Sequence, residues 1–333
     1  MDTISTIAQG RETDEPTIRR LELALGEVSG ARPVITRLRR RAYEGATSFG
    51  SEILELEIED GPAIELFLKD YGRSLLPRGN QQERARREIA VYRDLLAGAG
   101  LGTAAYHGAV WESGRRWLLL EYVRDAPDLR AFRLQVWIEA AAWLGRLHGR
   151  FNDPSLLAKA GGSLSRHDGA FFRGYAHRAI AAVAAVDKAL SERLKRVLAG
   201  YGPLADLMAS QPPTLVHGSY RPQNILVGPG PARRRICPVD WEHAGLGSSL
   251  YDLALLARGF RGPDLACLVD AWRQEAESRH APVPGRAHLR VLLDCFRLHW
   301  IARSLSDAIT LRYERSAIEK FIEMGEELRA SLG

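Results

Sequence analysis

The spacing of apolar residues changes near residue 123, and no other feature of the sequence restricts the fold as much. Before Val123, segments such as 51–59, "SEILELEIE", alternate apolar and polar residues, as strands with one buried face do. Beyond it, apolar residues recur with a period of about 3.6, as in 134–151, "LQVWIEAAAWLGRLHGRF", which is typical of amphipathic helices. The sequence therefore predicts an α+β chain in two lobes: a small N-terminal lobe, residues 1–123, and a larger, mainly helical C-terminal lobe, residues 124–333.

The N-terminal lobe is predicted to hold an antiparallel sheet and one helix. The helix begins after Asn80, has Glu83 in the position of a capping box, and ends at Gly98. Asp60 and Gly61 predict a hairpin turn between two of the strands. The five predicted strands lie at 33–40, 51–59, 63–69, 104–112 and 115–123.

A polar loop in the C-terminal lobe lies between short apolar strands. The loop 217–224, "HGSYRPQN", separates "TLVH" from "NILVG", and a third strand, "RICPVD", ends at Asp240. Asn224 and Asp240 thus lie at adjacent strand ends, where an amide oxygen and a carboxylate suit Mg²⁺ bound to nucleotide phosphates. Upstream, Lys69 ends a strand and Glu88 lies inside the helix, and a strand Lys held by a helix Glu positions the phosphates of a nucleotide.

The composition excludes several classes of protein. The net charge is +5, but the basic residues are scattered, so no nucleic-acid partner is predicted. Apolar runs are shorter than about 18 residues, so no membrane partner is predicted. The three cysteines are too widely spaced for a disulfide framework or a zinc cluster, which predicts a cytoplasmic location. The oligomeric state does not follow from the sequence.

Two segments of the C-terminal lobe, "LVHGSYRPQNILV" at 215–227 and "CPVDWEHAGLGSSLYDLALL" at 237–256, resemble the aminoglycoside phosphotransferase and choline kinase-like family. The resemblance extends over about residues 30–260. It implies a bilobal protein kinase-like fold and an enzyme that transfers phosphate from ATP or GTP, with Mg²⁺, to a hydroxyl group. The acceptor would be a small molecule, an antibiotic or a metabolite. Over residues 250–333 the acidic and basic residues are equal in number, 12 each, so the charge there does not favour a polycationic acceptor.

The resemblance assigns a role to each matching residue. Lys69 would hold the α- and β-phosphates, and Glu88 would orient Lys69. Asn224 and Asp240 would hold Mg²⁺. The backbone of Glu121–Val123 would receive the adenine.

Further residues have weaker or supporting assignments. The turn at 43–51 could lie over the phosphates, with Thr47 and Ser48 as hydrogen-bond donors, although its glycines do not form a phosphate-loop motif. His217 is interpreted as a hydrogen-bonded imidazole that braces the loop. Asp252 is interpreted as a hydrogen-bond acceptor for the loop backbone.

Ser219 is the departure from the family pattern, because it stands where the family's motif has a catalytic aspartate. A serine hydroxyl does not accept a proton usefully near neutral pH, whereas a positioned general base contributes about 10²–10⁴ in rate. Phosphoryl transfer also depends on positioning and on charge stabilisation. Arg221 is the candidate for the stabilising charge, with a solvated loop arginine as the alternative.

Three interpretations stay open at this point. The chain is an active phosphotransferase without an aspartate base, or a nucleotide-binding pseudoenzyme that has lost transfer, or a kinase whose aspartate has been replaced deliberately. Each of them keeps Lys69, Asn224 and Asp240 as the nucleotide-binding apparatus.

Overall fold

The computed structural model describes residues 15–45, 48–75, 79–160, 162–230 and 234–332, and the chain divides into two compact units. The first unit comprises the described residues up to Ala85 together with Ala104–Arg124. The second comprises Arg86–Thr103 and the residues from Asp125 onward. The division into functional lobes at residue 123 stays a prediction.

The first unit is built on a five-stranded antiparallel sheet with the strand order β1-β2-β3-β5-β4. Asp60, with a φ of 56°, lies in the tight connection between β2 and β3, where the Asp-Gly pair predicts a hairpin. All five predicted strands are confirmed, but β3 continues to Ser74, so Lys69 lies inside this strand and not at its end as predicted. Their bounds are Ile35–Ala42 for β1, Phe49–Ile58 for β2, Ile64–Ser74 for β3, Tyr106–Glu112 for β4 and Arg115–Glu121 for β5.

Helix α1, Glu15–Ser29, covers one face of this sheet and was not predicted from the sequence. Its buried side chains include Leu21 and Leu25, which belong to the same apolar cluster as Leu54 and Leu119 of the sheet. Burial of this cluster supplies much of the stability of a small unit, because free energy follows the apolar area removed from water.

Helix α2, Gln81–Ala90, continues as a π-helical segment, Val91–Leu96. The predicted helix is confirmed, and it stops just before Gly98, whose φ of 73° is the left-handed conformation that favours glycine at a helix end. Helices α3 to α11 of the second unit are Leu134–Arg150, Pro154–Leu157, Gly169–Val186, Lys188–Val197, Tyr201–Ala209, Leu250–Leu256, Gly262–Glu277, Arg286–Ser306 and Arg315–Leu332. No helix among the described residues is both long enough and apolar enough to cross a bilayer.

Two small sheets interrupt the helices of the second unit. The three predicted strands are confirmed as β7 (Pro213–Val216), β8 (Ile225–Pro229) and β9 (Arg234–Pro238). Strands β8 and β9 form an antiparallel pair, and β7 pairs with β10 (Gly245–Ser248). Strand β6 (Ser165–Arg166) adds to β10 in parallel. These strand ends position the polar loop 217–224 described below.

Candidate active site

The loop 217–224 connects β7 to β8, and Asp252 of helix α8 fixes its first residues. The Asp252 carboxylate accepts the N–H of His217 at 2.6 Å and the N–H of Gly218 at 3.0 Å. Asp252 is fully buried, and each of its two carboxyl oxygens accepts one of these hydrogen bonds, as buried polar atoms require. The hydrogen bonding predicted for Asp252 is confirmed.

The imidazole of His217 links this loop to the end of β9. Its Nδ1 accepts the N–H of Ser219 at 3.2 Å, so its Nε2 donates to the carbonyl of Val239 at 3.0 Å. Burial lowers the pKa of His217 below its usual value, which keeps the ring neutral in this tautomer. The bracing hydrogen bonds expected of His217 are therefore present.

The Ser219 side chain receives two hydrogen bonds from its own loop. Arg221 Nε lies 3.2 Å from Ser219 Oγ, and Asn224 Nδ2 lies 3.3 Å from it. Asn224 Nδ2 also donates to the Ser219 carbonyl at 3.0 Å. Ser219 is 1% exposed, so these contacts fix the hydroxyl oxygen as an acceptor within a buried network.

Asn224 directly precedes β8, and Asp240 lies two residues beyond the end of β9, the strand that pairs with β8. The backbone joins them, because Val239 donates its N–H to the Asn224 carbonyl at 2.9 Å. With Nδ2 of Asn224 donating to Ser219, the amide oxygen Oδ1 is the atom oriented for a metal. Asp240 has a φ of 69° and a ψ of 59°, a left-handed conformation that aspartate tolerates better than most residues.

Three carboxylates of the second unit, including that of Asp240, lie close together. One oxygen each of Glu88, Asp240 and Glu242 lies within 4.8 Å of the others, and Glu88 and Glu242 are buried. The oxygen Oε1 of Glu88 accepts the N–H of Trp241 at 3.0 Å, so Glu88 holds the backbone next to Asp240. Carboxylate and amide oxygens are the ligands that Mg²⁺ prefers, so the residues present fit this metal.

Several predicted residues lie in the first unit. The Lys69 ammonium is 5.2 Å from the ring centroid of Tyr71, and Lys69 is 5% exposed. Ser48 accepts the N–H of Leu75 through its carbonyl. Thr47 lies outside the described residues.

The predicted adenine-binding backbone, Glu121–Val123, begins at the last residue of β5. The N–H of Glu121 donates to the carbonyl of Ala105 at 2.9 Å, and the N–H of Ala105 donates to the Glu121 side chain at 3.0 Å. Because the Glu121 N–H is already bonded, an adenine ring would contact the other polar groups of this segment. The nucleotide contacts assigned to Lys69, Glu121, Val123 and Ser48 stay predictions.

A family model described as "Phosphotransferase enzyme family" matches residues 54–292. The chain belongs to this family. The matched region includes Lys69, Glu88, the loop 217–224 and Asp240, and the family resemblance inferred from the sequence is confirmed. No curated protein matches the chain.

Solved structures of similar proteins confirm the α+β protein kinase-like fold of this phosphotransferase-family member. A putative aminoglycoside phosphotransferase from Ralstonia eutropha is 18% identical, with a TM-score of 0.55 and coverage of 89% of this chain and 93% of that one. The GDP complex of aminoglycoside 2'-phosphotransferase-IIIa is 15% identical, with a TM-score of 0.56 and coverage of 89% and 93%. LicA, the choline kinase from Streptococcus pneumoniae, in complex with AMP is 15% identical, with a TM-score of 0.54 and coverage of 97% and 100%.

The site of this phosphotransferase-family chain also includes residues that the sequence analysis did not single out. Glu242 lies two residues beyond Asp240, and its carbonyl accepts Arg87 Nη1 at 2.8 Å. Arg303 of helix α10 donates through Nη1 to the carbonyl of Gly218 and, at 2.8 Å, to the hydroxyl of Tyr251. The short spacing to Asp240 could have indicated Glu242. No pattern near Arg303 indicates its contact with a loop 85 residues away.

Buried imidazoles should make the stability of the second unit depend on pH. Burial lowers the pKa of His167 to about 3 and also lowers the pKa values of His217 and His299. An unfolded histidine has a pKa of about 6.5, so below that pH the unfolded state binds protons that the folded state excludes. We expect the free energy of unfolding to fall with decreasing pH below about 6.5, by ~1.4 kcal/mol per pH unit from His167 alone.

Urea unfolding at pH 7.5 and at pH 5.5 measures this effect. The variant His167→Gln removes one titrating imidazole and should reduce the difference between the two pH values. The variant His177→Gln, on the exposed side of α5, should keep it. Equal free energies of unfolding at the two pH values would contradict the prediction.

Proposed function

We propose that the protein transfers the γ-phosphate of ATP or GTP to a hydroxyl group of a small molecule. The observation that carries the proposal is the arrangement of Asn224 and Asp240: Asn224 ends a loop that Asp252 fixes, and Asp240 follows β9, the strand paired with the one that begins after Asn224. The GDP complex of an aminoglycoside 2'-phosphotransferase and the AMP complex of LicA, both similar in fold, support nucleotide as the phosphate donor.

The proposed roles follow from the oxygen donors present. Asn224 Oδ1 and the Asp240 carboxylate would hold Mg²⁺, which would neutralise charge on the nucleotide phosphates. Glu242 is a further carboxylate within reach of the same position. Lys69 is proposed to contact the α- and β-phosphates, as the family resemblance implies.

In the proposed transfer, the acceptor oxygen forms a bond to the γ-phosphorus, and the bond from that phosphorus to the bridging oxygen breaks. The hydroxyl proton passes to solvent water, because Ser219 is not a useful base near neutral pH. Arg221, held against Ser219 Oγ through Nε, is proposed to stabilise charge on the transferring group.

A second candidate function is nucleotide binding without transfer. Ser219 favours it directly, because the residue supplies no general base. The Ser219 hydroxyl nevertheless receives hydrogen bonds from both Arg221 and Asn224. The two candidates share nucleotide binding and differ in turnover, so binding and turnover are measured separately.

Nucleotide with Mg²⁺ should raise the melting temperature of the protein. A ligand that binds only the folded state stabilises it by about 2.7 kcal/mol at a free concentration of 100 Kd. Asp240→Ala and Lys69→Ala should each remove most of this shift, as should EDTA. Differential scanning fluorimetry with ATP and with GTP measures the effect.

Matched control variants show whether the shift is lost because a contact with the nucleotide is lost or only because the charge of the protein changes. Asp206→Ala removes a surface carboxylate that pairs with Arg173, and Lys195→Ala removes a lysine that pairs with Glu192. Both should keep the nucleotide-dependent shift. If wild type shows no shift with either nucleotide and Mg²⁺, or if Asp206→Ala loses as much as Asp240→Ala, the proposed nucleotide site is wrong.

A further inference from the structure

The guanidinium of Arg303 contacts Gly218, the residue that precedes Ser219. Its Nη1 donates to the Gly218 carbonyl and to the Tyr251 hydroxyl, both of which are neutral acceptors. Its remaining donors, Nε and Nη2, have no hydrogen-bond partner in the described part of the chain. Asp307 acts on Arg303 electrostatically but forms no ion pair with it. A half-buried cation without a paired carboxylate thus adjoins the catalytic loop.

The guanidinium groups of Arg303 and Arg178 both pack against the ring of Tyr175. Arg178 of helix α5 lies 4.3 Å from the ring centroid of Tyr175, and Arg303 lies 5.9 Å from it. Phe171 packs edge-on against Tyr175, with ring centroids 5.1 Å apart. Arg178 makes no ion pair with any carboxylate whose placement the structure describes. Packing on a ring face leaves the in-plane N–H groups of a guanidinium available to an oxyanion.

This arrangement differs from what a cationic acceptor would need. Two positive charges at the Tyr175 ring, one of them in contact with the loop, would repel a polyamine, and no carboxylate among the described residues is paired with either of them. A planar guanidinium fork instead matches the oxygens of a carboxylate or a phosphate, and such charged hydrogen bonds are stronger than neutral ones. The aromatic wall of Phe171, Tyr175 and Tyr251 suits an apolar or planar part of the same molecule.

We propose that the acceptor carries an oxyanion, a carboxylate or a phosphate, which Arg303 and Arg178 bind beside Tyr175 while its hydroxyl group faces the loop at Ser219. This inference rests on the proposed phosphotransferase function and specifies its substrate class. Arg303 then has two roles: it positions the loop through Gly218, and it binds the acceptor.

Binding of matched aromatic probes tests the proposal without requiring turnover. The probes are 4-hydroxyphenylacetate, its neutral amide, and the amine tyramine, with phenyl phosphate as the phosphate arm. Isothermal titration calorimetry is done on the whole chain, residues 1–333, with ADP and Mg²⁺ present. We expect at least one of the two anions to bind about tenfold or more tightly than the amide, the increment of one charged hydrogen bond, and tyramine to bind most weakly.

Variants on helix α5 locate the binding charge. Arg178 makes no hydrogen bond to the loop 217–224 among the described residues. Arg178→Gln should therefore weaken binding of the anions severalfold while leaving binding of the amide unchanged. Arg173→Gln, five residues earlier on the same helix, removes a guanidinium that pairs with Asp206 and should leave both unchanged. Arg303→Gln should weaken the anions further, and Arg303→Lys should recover part of the loss.

The outcomes separate this inference from the proposed function. Tighter binding of the carboxylate or of the phosphate identifies which oxyanion the site takes. Tyramine or the amide binding as well as both anions, or Arg173→Gln acting like Arg178→Gln, would overturn the inference. So would failure of every probe to bind at millimolar concentration while nucleotide still shifts the melting temperature. Anion binding in a protein that shows no nucleotide-dependent shift would overturn the phosphotransferase function instead.

Discussion

Replacement of Ser219 by aspartate is expected to raise the rate of phosphoryl transfer by about 10²- to 10⁴-fold, the contribution of a positioned general base. The structure already contains the donors that would orient the new carboxylate. Arg221 Nε and Asn224 Nδ2 both point at the Ser219 hydroxyl, at 3.2 and 3.3 Å. A carboxylate at this position would accept the same two hydrogen bonds and would keep its second oxygen for the hydroxyl proton of the acceptor.

The measurement is ADP release in the presence of a panel of hydroxylated acceptors, for wild type and for Ser219→Asp. Ser219→Asn is the matched control, because it has the size of aspartate but no basic oxygen of comparable strength. Nucleotide affinity should change much less than turnover, because Asn224 and Asp240 are unaltered. Equal turnover of the Asp and Asn variants would show that a base at residue 219 is not what limits transfer.

Variants at Arg221 distinguish an active enzyme from a pseudoenzyme. If wild type relies on Arg221 and Mg²⁺, Arg221→Ala should lower its turnover more than Ser219→Ala does. If wild type and every variant are inactive across the panel while nucleotide still binds, the pseudoenzyme interpretation is correct.

Replacement of Gly218 by alanine is expected to cost about 3 kcal/mol or more in the free energy of unfolding, the range of severe single substitutions. Gly218 has a φ of 76°, and a Cβ added there would lie 1.9 Å from the carbonyl oxygen of His243. The neighbour is backbone, so the loop itself must move. The hydrogen bond from the Gly218 N–H to Asp252 and the one from Arg303 to the Gly218 carbonyl would be displaced as well.

Urea unfolding measures the loss in Gly218→Ala, and Gly202→Ala is its control. Gly202 lies in helix α7, and a Cβ there meets nothing within 4 Å. Alanine at that helical position should be neutral or stabilising by up to ~1 kcal/mol. Equal stability of Gly218→Ala and wild type would mean that the loop tolerates another backbone conformation.

Much of the fold could be predicted because local pattern and tertiary structure agree. The alternation in 51–59 became strand β2, and the Asp-Gly pair at residues 60 and 61 became its hairpin. Helix α1 was missed although Leu21 and Leu25 have helical spacing, since one short amphipathic segment gives a weak signal beside so many strands. Strand β6 has two residues, too few for any periodicity.

The residues of the candidate site also divide into those that the sequence predicted and those that it did not. Asp252 and His217 make the hydrogen bonds expected of them, although their partners are 35 and 22 residues away in the sequence, because both residues lie in the two segments that carry the family resemblance. Arg303 could not be found in the sequence, because its contact with Gly218 depends on how α10 packs in three dimensions. Sequence periodicity places a side chain on a face of a helix, but it does not name the loop which that face meets.

The backbone at Asp240 sets fold stability against the side chain that the site requires. A left-handed conformation is unfavourable for residues with a Cβ by roughly 1–2 kcal/mol, less for aspartate, and glycine adopts it without that strain. Glycine at residue 240 would relieve this strain, but it would also remove the carboxylate that the proposed function assigns to Mg²⁺. The proposed metal ligand is thus held at a backbone position where the fold alone favours glycine.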